Sequence, residues 1–128
     1  MNFPHAVVWT DHHSATLLTF DAEQVETHHV HEHAHPTARH ASGVRTEHEF
    51  FAAVCAALEA RPQILVTAGH AALADFRHYA EKHRPETAAR IVGYEVVDHP
   101  SDKQLVALAR TFFDRRERLA TTTAQKTP

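Results

Sequence analysis

The spacing of hydrophobic residues changes along this chain, and the changes predict eight secondary-structure elements. Short apolar runs rich in branched and aromatic residues predict strands at about 6–9, 15–20, 24–31, 63–67 and 90–97. Apolar residues at helical spacing predict helices over about 47–61, 71–83 and 102–118. The resulting order, β-β-β-α-β-α-β-α, predicts an α/β fold in which helices cover the faces of a mixed five-stranded sheet.

Local signals refine these elements. Thr46 with Glu49, and Ser101 with Gln104, have the spacing of capping boxes, in which each side chain bonds a free backbone amide at a helix start. The run 63–67 is almost entirely apolar, which is typical of a strand buried on both faces. The last two strands each follow a helix, so we expect them to be parallel.

Composition and charge indicate one cytoplasmic domain. The chain has 128 residues, 43% of them hydrophobic, and a formal net charge of −3. We expect a single domain over 1–118, with a polar, histidine-rich loop at 32–45 and a disordered tail at 119–128. The single cysteine, Cys55, lies in an apolar helical run and is expected to be a buried structural thiol in a reducing compartment. No apolar run approaches the ~20 residues that span a bilayer, so no membrane partner is expected.

Histidine is the unusual component, with fourteen in the chain and six of them between His28 and His40. Alternate residues of a strand share one face, so an extended segment would place four imidazoles in a row: His29, His31, His33 and His35. Neutral imidazole binds divalent metals such as zinc, nickel and copper, whereas protonated imidazole attracts phosphate. The row is therefore compatible with a metal-binding protein, an RNA contact or a solvated loop.

The acidic residues permit a third function. Asp11 lies in the predicted turn Asp11-His12-His13-Ser14, where aspartate commonly accepts local hydrogen bonds. A three-strand meander followed by α-β-α-β is also compatible with a ribonuclease-H-like nuclease. In that alternative, Asp11 and Asp98 would be the metal-binding carboxylates.

Several stretches together resemble a known domain in their order and spacing: 6–11, 14–17, 47–54, 64–69, 75–76, 92–93 and 98–105. They resemble the central domain of the archaeal and eukaryotic peptide-release factor family, which includes Pelota. More closely, the chain resembles the small stand-alone bacterial proteins related to that domain, often labelled translational machinery proteins. The likeness covers most of residues 5–113 and implies a role in or near translation.

The resemblance also locates the functional tip of the domain. In release factors, the loop between the third strand and the first helix carries the Gly-Gly-Gln tripeptide that triggers peptidyl-tRNA hydrolysis. The corresponding loop here, 32–45, has one glycine and no glutamine, which implies a non-catalytic protein that needs no cofactor. The resemblance instead implies ribosome or RNA contact through this loop. The candidate contact residues are His31, His33, His35, Arg39, His40 and Arg45. Nothing in the sequence specifies an oligomeric state.

Overall fold

A computed structural model of the protein describes residues 3–31 and 43–125. The strands are β1 (His5–Thr10), β2 (Ser14–Phe20), β3 (Val25–His31), β4 (Ile64–Ala68) and β5 (Ile91–Val96). The helices are α1 (Gly43–Ala57), α2 (His70–His83), α3 (Pro85–Arg90) and α4 (Asp102–Gln125). The predicted α/β fold with a mixed five-stranded sheet is confirmed.

The sheet has the strand order β3-β2-β1-β4-β5. Short turns join β1 to β2 and β2 to β3, and both pairs are antiparallel. The chain enters β4 and β5 through helices, and β4 is parallel to both β1 and β5. The predicted parallel pairing of the last two strands is therefore confirmed, and β3 lies at one edge of the sheet.

Helices cover both faces of the sheet and form two hydrophobic cores. On one face, the apolar stripe of α1 and the inward side of α2 pack on alternate strand residues, and the rings of Phe51 and Phe76 meet edge to face at 5.4 Å. On the other face, α4 packs Leu105, Ala109 and Phe113 against the remaining strand residues. The apolar periodicity of the three predicted helices thus identified the buried faces correctly.

Three helix boundaries differ from the prediction, and one of them is the end of α1, which lies at Ala57 rather than near residue 61. α1 begins at Gly43, so Thr46 and Glu49 lie inside the helix and the predicted capping box at Thr46 is wrong. The helix begins four residues before the predicted start at 47, so residues 43–45 of the predicted loop are helical. A capping preference is a weak local signal that helix propagation overrides. α4 continues to Gln125 through residues predicted as tail, and no glycine or proline interrupts it.

The short helix α3 was not predicted, so the observed order is β-β-β-α-β-α-α-β-α. Pro85 lies in its first turn, where the fixed φ of proline favours a helix and its missing N–H costs nothing. The six residues of α3 are too few to show a helical period in the sequence.

Two other local predictions are confirmed. The Ser101 amide donates to Gln104 Oε1 at 2.9 Å and the Gln104 amide donates to Ser101 Oγ at 3.2 Å, which is the capping box of α4. Cys55 is 2% exposed, and burial raises the pKa of its thiol to about 11. None of the helices in the described parts of the chain has the length and apolar character needed to cross a membrane.

Candidate functional site

Polar side chains collect at the edge of the sheet where the three parallel strands end. β1, β4 and β5 end at Thr10, Ala68 and Val96. The carboxyl ends of parallel strands meet at one edge, where ligand sites of α/β proteins commonly form. We call this the carboxyl edge.

The turn between β1 and β2 is fixed at the carboxyl edge by Asp11. Its Oδ1 accepts hydrogen bonds from the amides of His13 and Ser14, each at 2.7 Å. Partial burial raises the pKa of Asp11, but these amides and the Ser14 hydroxyl lower it by more, so its net pKa is below the ordinary value. The turn role predicted for Asp11 is confirmed, and the fixed turn positions the next side chain, His12.

His12 lies beside two carboxylates from different helices. One ligand atom from each of His12, Glu47 of α1 and Asp75 of α2 falls within 4.8 Å of the others. The tightest contact joins His12 Nε2 to Asp75 Oδ2 at 2.9 Å, with those side chains 32% and 53% exposed. We call these three residues the His12 cluster. Its members are far apart in sequence, and the Asp-His-His tripeptide does not point to Glu47 or Asp75, so the cluster was not predicted from the sequence.

An aromatic ring pair lies near the carboxyl edge on the face of the sheet that α4 covers. The rings of Trp9 and His99 lie 4.2 Å apart at 30°, and the Trp9 indole N–H donates to the Asp98 carbonyl oxygen at 2.9 Å. These contacts attach the segment before α4 to β1. They use the backbone carbonyl of Asp98. Among the described residues, the three side chains whose ligand atoms lie close enough together to hold a metal ion are those of the His12 cluster, which does not include Asp98. The nuclease assignment to Asp11 and Asp98 stays a prediction.

The histidine row begins on β3. Since Thr16 pairs with His29 and Ser14 with His31, these two histidines share the α4 face of the sheet. Both are exposed, their ring centroids lie 6.3 Å apart, and the ring planes differ by 21°. His29 Nδ1 also lies 3.4 Å from the Thr16 hydroxyl, the outer limit of a hydrogen bond.

Most of the predicted RNA-contact residues lie outside the described parts of the chain, so their positions relative to His29 and His31 are not described. His33, His35, Arg39 and His40 lie outside the described residues, as does the segment 32–42 as a whole. Arg45 belongs to α1. The structure thus brings together His29 and His31, and it places their strand directly before that segment.

Comparison with known proteins identifies the fold. No protein-family model matches the sequence. No curated protein matches it either. Among solved structures, Pelota from Archaeoglobus fulgidus superposes on 98% of this chain with a TM-score of 0.63 at 20% identity. The chain has the fold of a Pelota and release-factor domain.

Two further structures have this Pelota-like fold. Thermoplasma acidophilum Pelota superposes on 77% of the chain with a TM-score of 0.57 at 13% identity. An archaeal translation termination factor superposes on 96% with a TM-score of 0.57 at 12% identity. The chain spans 37%, 29% and 41% of the length of these three proteins, respectively. The resemblance inferred from the sequence is therefore confirmed for the fold.

Proposed function

We propose that this protein is a translation-associated module that binds ribosomal RNA and does not release peptides. The observation that carries the proposal is the superposition of nearly the whole chain, 98%, on Pelota. A termination factor with the same fold supports it. The proposed contact surface consists of His29 and His31, the part of the histidine row on β3, together with the segment that follows. Release factors carry their catalytic tripeptide in the corresponding segment.

Local charge supports RNA as the partner. The net charge of −3 gives the whole molecule no attraction for phosphate, so affinity must come from a patch. Residues 28–45 hold six histidines and two arginines against one acidic residue, Glu32. Imidazole and guanidinium groups stack on unpaired bases and pair with phosphate. The exposure of His29 and His31 on an edge strand leaves their rings accessible for such contacts.

Co-sedimentation with ribosomes tests the proposal. We expect wild-type protein to sediment with ribosomes in the presence of chelator, and a variant with His31, His33, His35, Arg39 and Arg45 changed to alanine to remain in the supernatant. A matched variant removes as many histidines and arginines from exposed positions elsewhere. It changes His70, His78, His83, Arg115 and Arg118 to alanine, and it should bind like wild type.

Equal loss of ribosome binding in both variants would show that the total content of histidine and arginine, rather than the proposed surface, controls binding. Absence of wild-type binding at low salt would refute the RNA contact. The proposed lack of peptide-release activity is tested separately, by measuring release of labelled peptide from ribosomes that carry peptidyl-tRNA. We expect no release above the rate without protein, because residues 32–45 lack glutamine and have one glycine.

A metal-binding function of the histidine row is the second candidate. It is favoured by the shared face and 6.3 Å ring separation of His29 and His31, since residues at i and i+2 on a strand can chelate one ion. Ribosome binding that is lost with chelator and restored by zinc would favour this candidate over the direct RNA contact.

A further inference from the structure

We propose that the His12 cluster is a binding site for one divalent transition-metal ion of the zinc type. The site is separate from the histidine row, because its residues come from the β1–β2 turn, α1 and α2. The proposal does not depend on ribosome binding.

The donor set defines the class of ion. One imidazole nitrogen and two carboxylate oxygens match the ligands that zinc takes in proteins, whereas magnesium and calcium prefer oxygen alone. Zinc ligands lie about 2.0–2.2 Å from the ion, so neighbouring donors in a tetrahedral site are about 3.4 Å apart. The cluster is close to that geometry, since its donor atoms lie within 4.8 Å of one another. Small side-chain rotations therefore suffice to close it around an ion.

The backbone holds the three ligands before any ion binds. Asp11 fixes the turn that carries His12, through two amide hydrogen bonds of 2.7 Å. Phe51 of α1 packs edge to face on Phe76 of α2, which joins the helices that carry Glu47 and Asp75. Preorganisation of this kind lowers the entropy lost when a ligand binds.

Charge and exposure also favour a cation. Glu47 and Asp75 place two carboxylates close together, and a cation bound between them would reduce their mutual repulsion. The Phe51 ring lies 6.3 Å from the His12 ring and supplies an apolar neighbour. Because Asp75 is 53% exposed, solvent reaches the site and a water molecule can complete the coordination.

The test must separate this site from the remaining histidines. The variant Glu47→Gln with Asp75→Asn removes both carboxylates and keeps all fourteen histidines. A matched control, Glu81→Gln with Asp114→Asn, makes the same charge change at exposed positions. A third variant changes His29, His31, His33 and His35 to asparagine. Each full-length protein is titrated calorimetrically with zinc chloride, and its Tm is recorded with and without zinc.

We expect wild type to bind one zinc ion with a Kd below micromolar and to gain several degrees in Tm. The matched control and the row variant should bind zinc and gain Tm as wild type does. The carboxylate variant should bind zinc at least tenfold more weakly and lose the gain in Tm. The proposal is wrong if the carboxylate variant retains the site, or if wild type binds zinc only above micromolar concentrations. Loss in the row variant alone would assign the metal to the histidine row.

A second measurement needs no mutation and remains informative if a variant fails to fold. Cobalt replaces zinc in nitrogen and oxygen sites and is paramagnetic, so it shifts and broadens the NMR signals of nearby rings. At substoichiometric cobalt, the His12 ring signals should respond before those of His29 and His31. The reverse order of response would overturn the assignment.

Discussion

The strands β4 and β3 belong to the same sheet but differ in almost every physical respect. All five residues of β4 are buried, between parallel neighbours on both sides and helices on both faces. In β3, at the edge, only Val30 is partly buried and three of the seven residues are histidines. An imidazole at a β4 position would need a buried hydrogen-bond partner, whereas on β3 water supplies one. The comparison shows that the edge strand accepts polar side chains at little cost in stability, whereas the central strand does not.

The largest effect should be the difference between two single variants that carry the same substitution, one in each strand. Val66→Ala in β4 should lower the free energy of unfolding by about 2–4 kcal/mol, because two buried methyl groups are lost and a cavity remains. Val25→Ala in β3 should cost less than about 1 kcal/mol, since Val25 is 40% exposed. Urea denaturation of both variants measures the difference, and equal costs would contradict the comparison.

A second effect concerns how tightly α4 packs on β5. A Cβ at Gly93 of β5 would lie 2.6 Å from Phe112 Cζ of α4, too close for either to stay in place. Gly93→Ala should therefore cost about 1–3 kcal/mol of unfolding free energy. The same change in a Phe112→Leu background should cost less, because the shorter side chain leaves room for the methyl group. A penalty unchanged by Phe112→Leu would show that the ring is not the obstacle.

A smaller effect separates two buried threonines. The Thr67 hydroxyl in β4 donates to the Val8 carbonyl oxygen at 2.9 Å, so Thr67→Val should cost about 1 kcal/mol. The Thr19 hydroxyl in β2 is equally buried but has no hydrogen-bond partner among the described residues. Thr19→Val should leave the unfolding free energy unchanged or raise it by up to about 1 kcal/mol. Thermal denaturation of the two variants in parallel measures the sign of each change.

The smallest effect should come from the histidines themselves. Replacing His29 and His31 by threonine, a good strand former, should change the unfolding free energy by less than about 0.5 kcal/mol for each residue. Both side chains are exposed, and the hydroxyl contact of His29 is long at 3.4 Å. A loss above about 1 kcal/mol would mean that these residues stabilise the edge strand rather than serve binding.

The elements that the sequence predicted correctly depend on neighbours close in the chain. The helical stripe that includes Phe51, Val54 and Cys55 identified the buried face of α1, and the spacing of Ser101 and Gln104 identified the start of α4. Strand alternation placed His29 and His31 on one face. The boundary errors at Gly43 and Gln125 arose because local end signals are weak beside helix propagation.

The His12 cluster could not be predicted in this way. Its three side chains come from a turn and two helices, and no spacing along the chain relates them. The sequence determined the elements and their buried faces, since hydrophobic burial imposes a period on each segment. Only the tertiary structure decided that the β1–β2 turn, α1 and α2 meet at the carboxyl edge. Long-range packing brings distant segments together, and that packing leaves no periodic pattern in the amino-acid sequence.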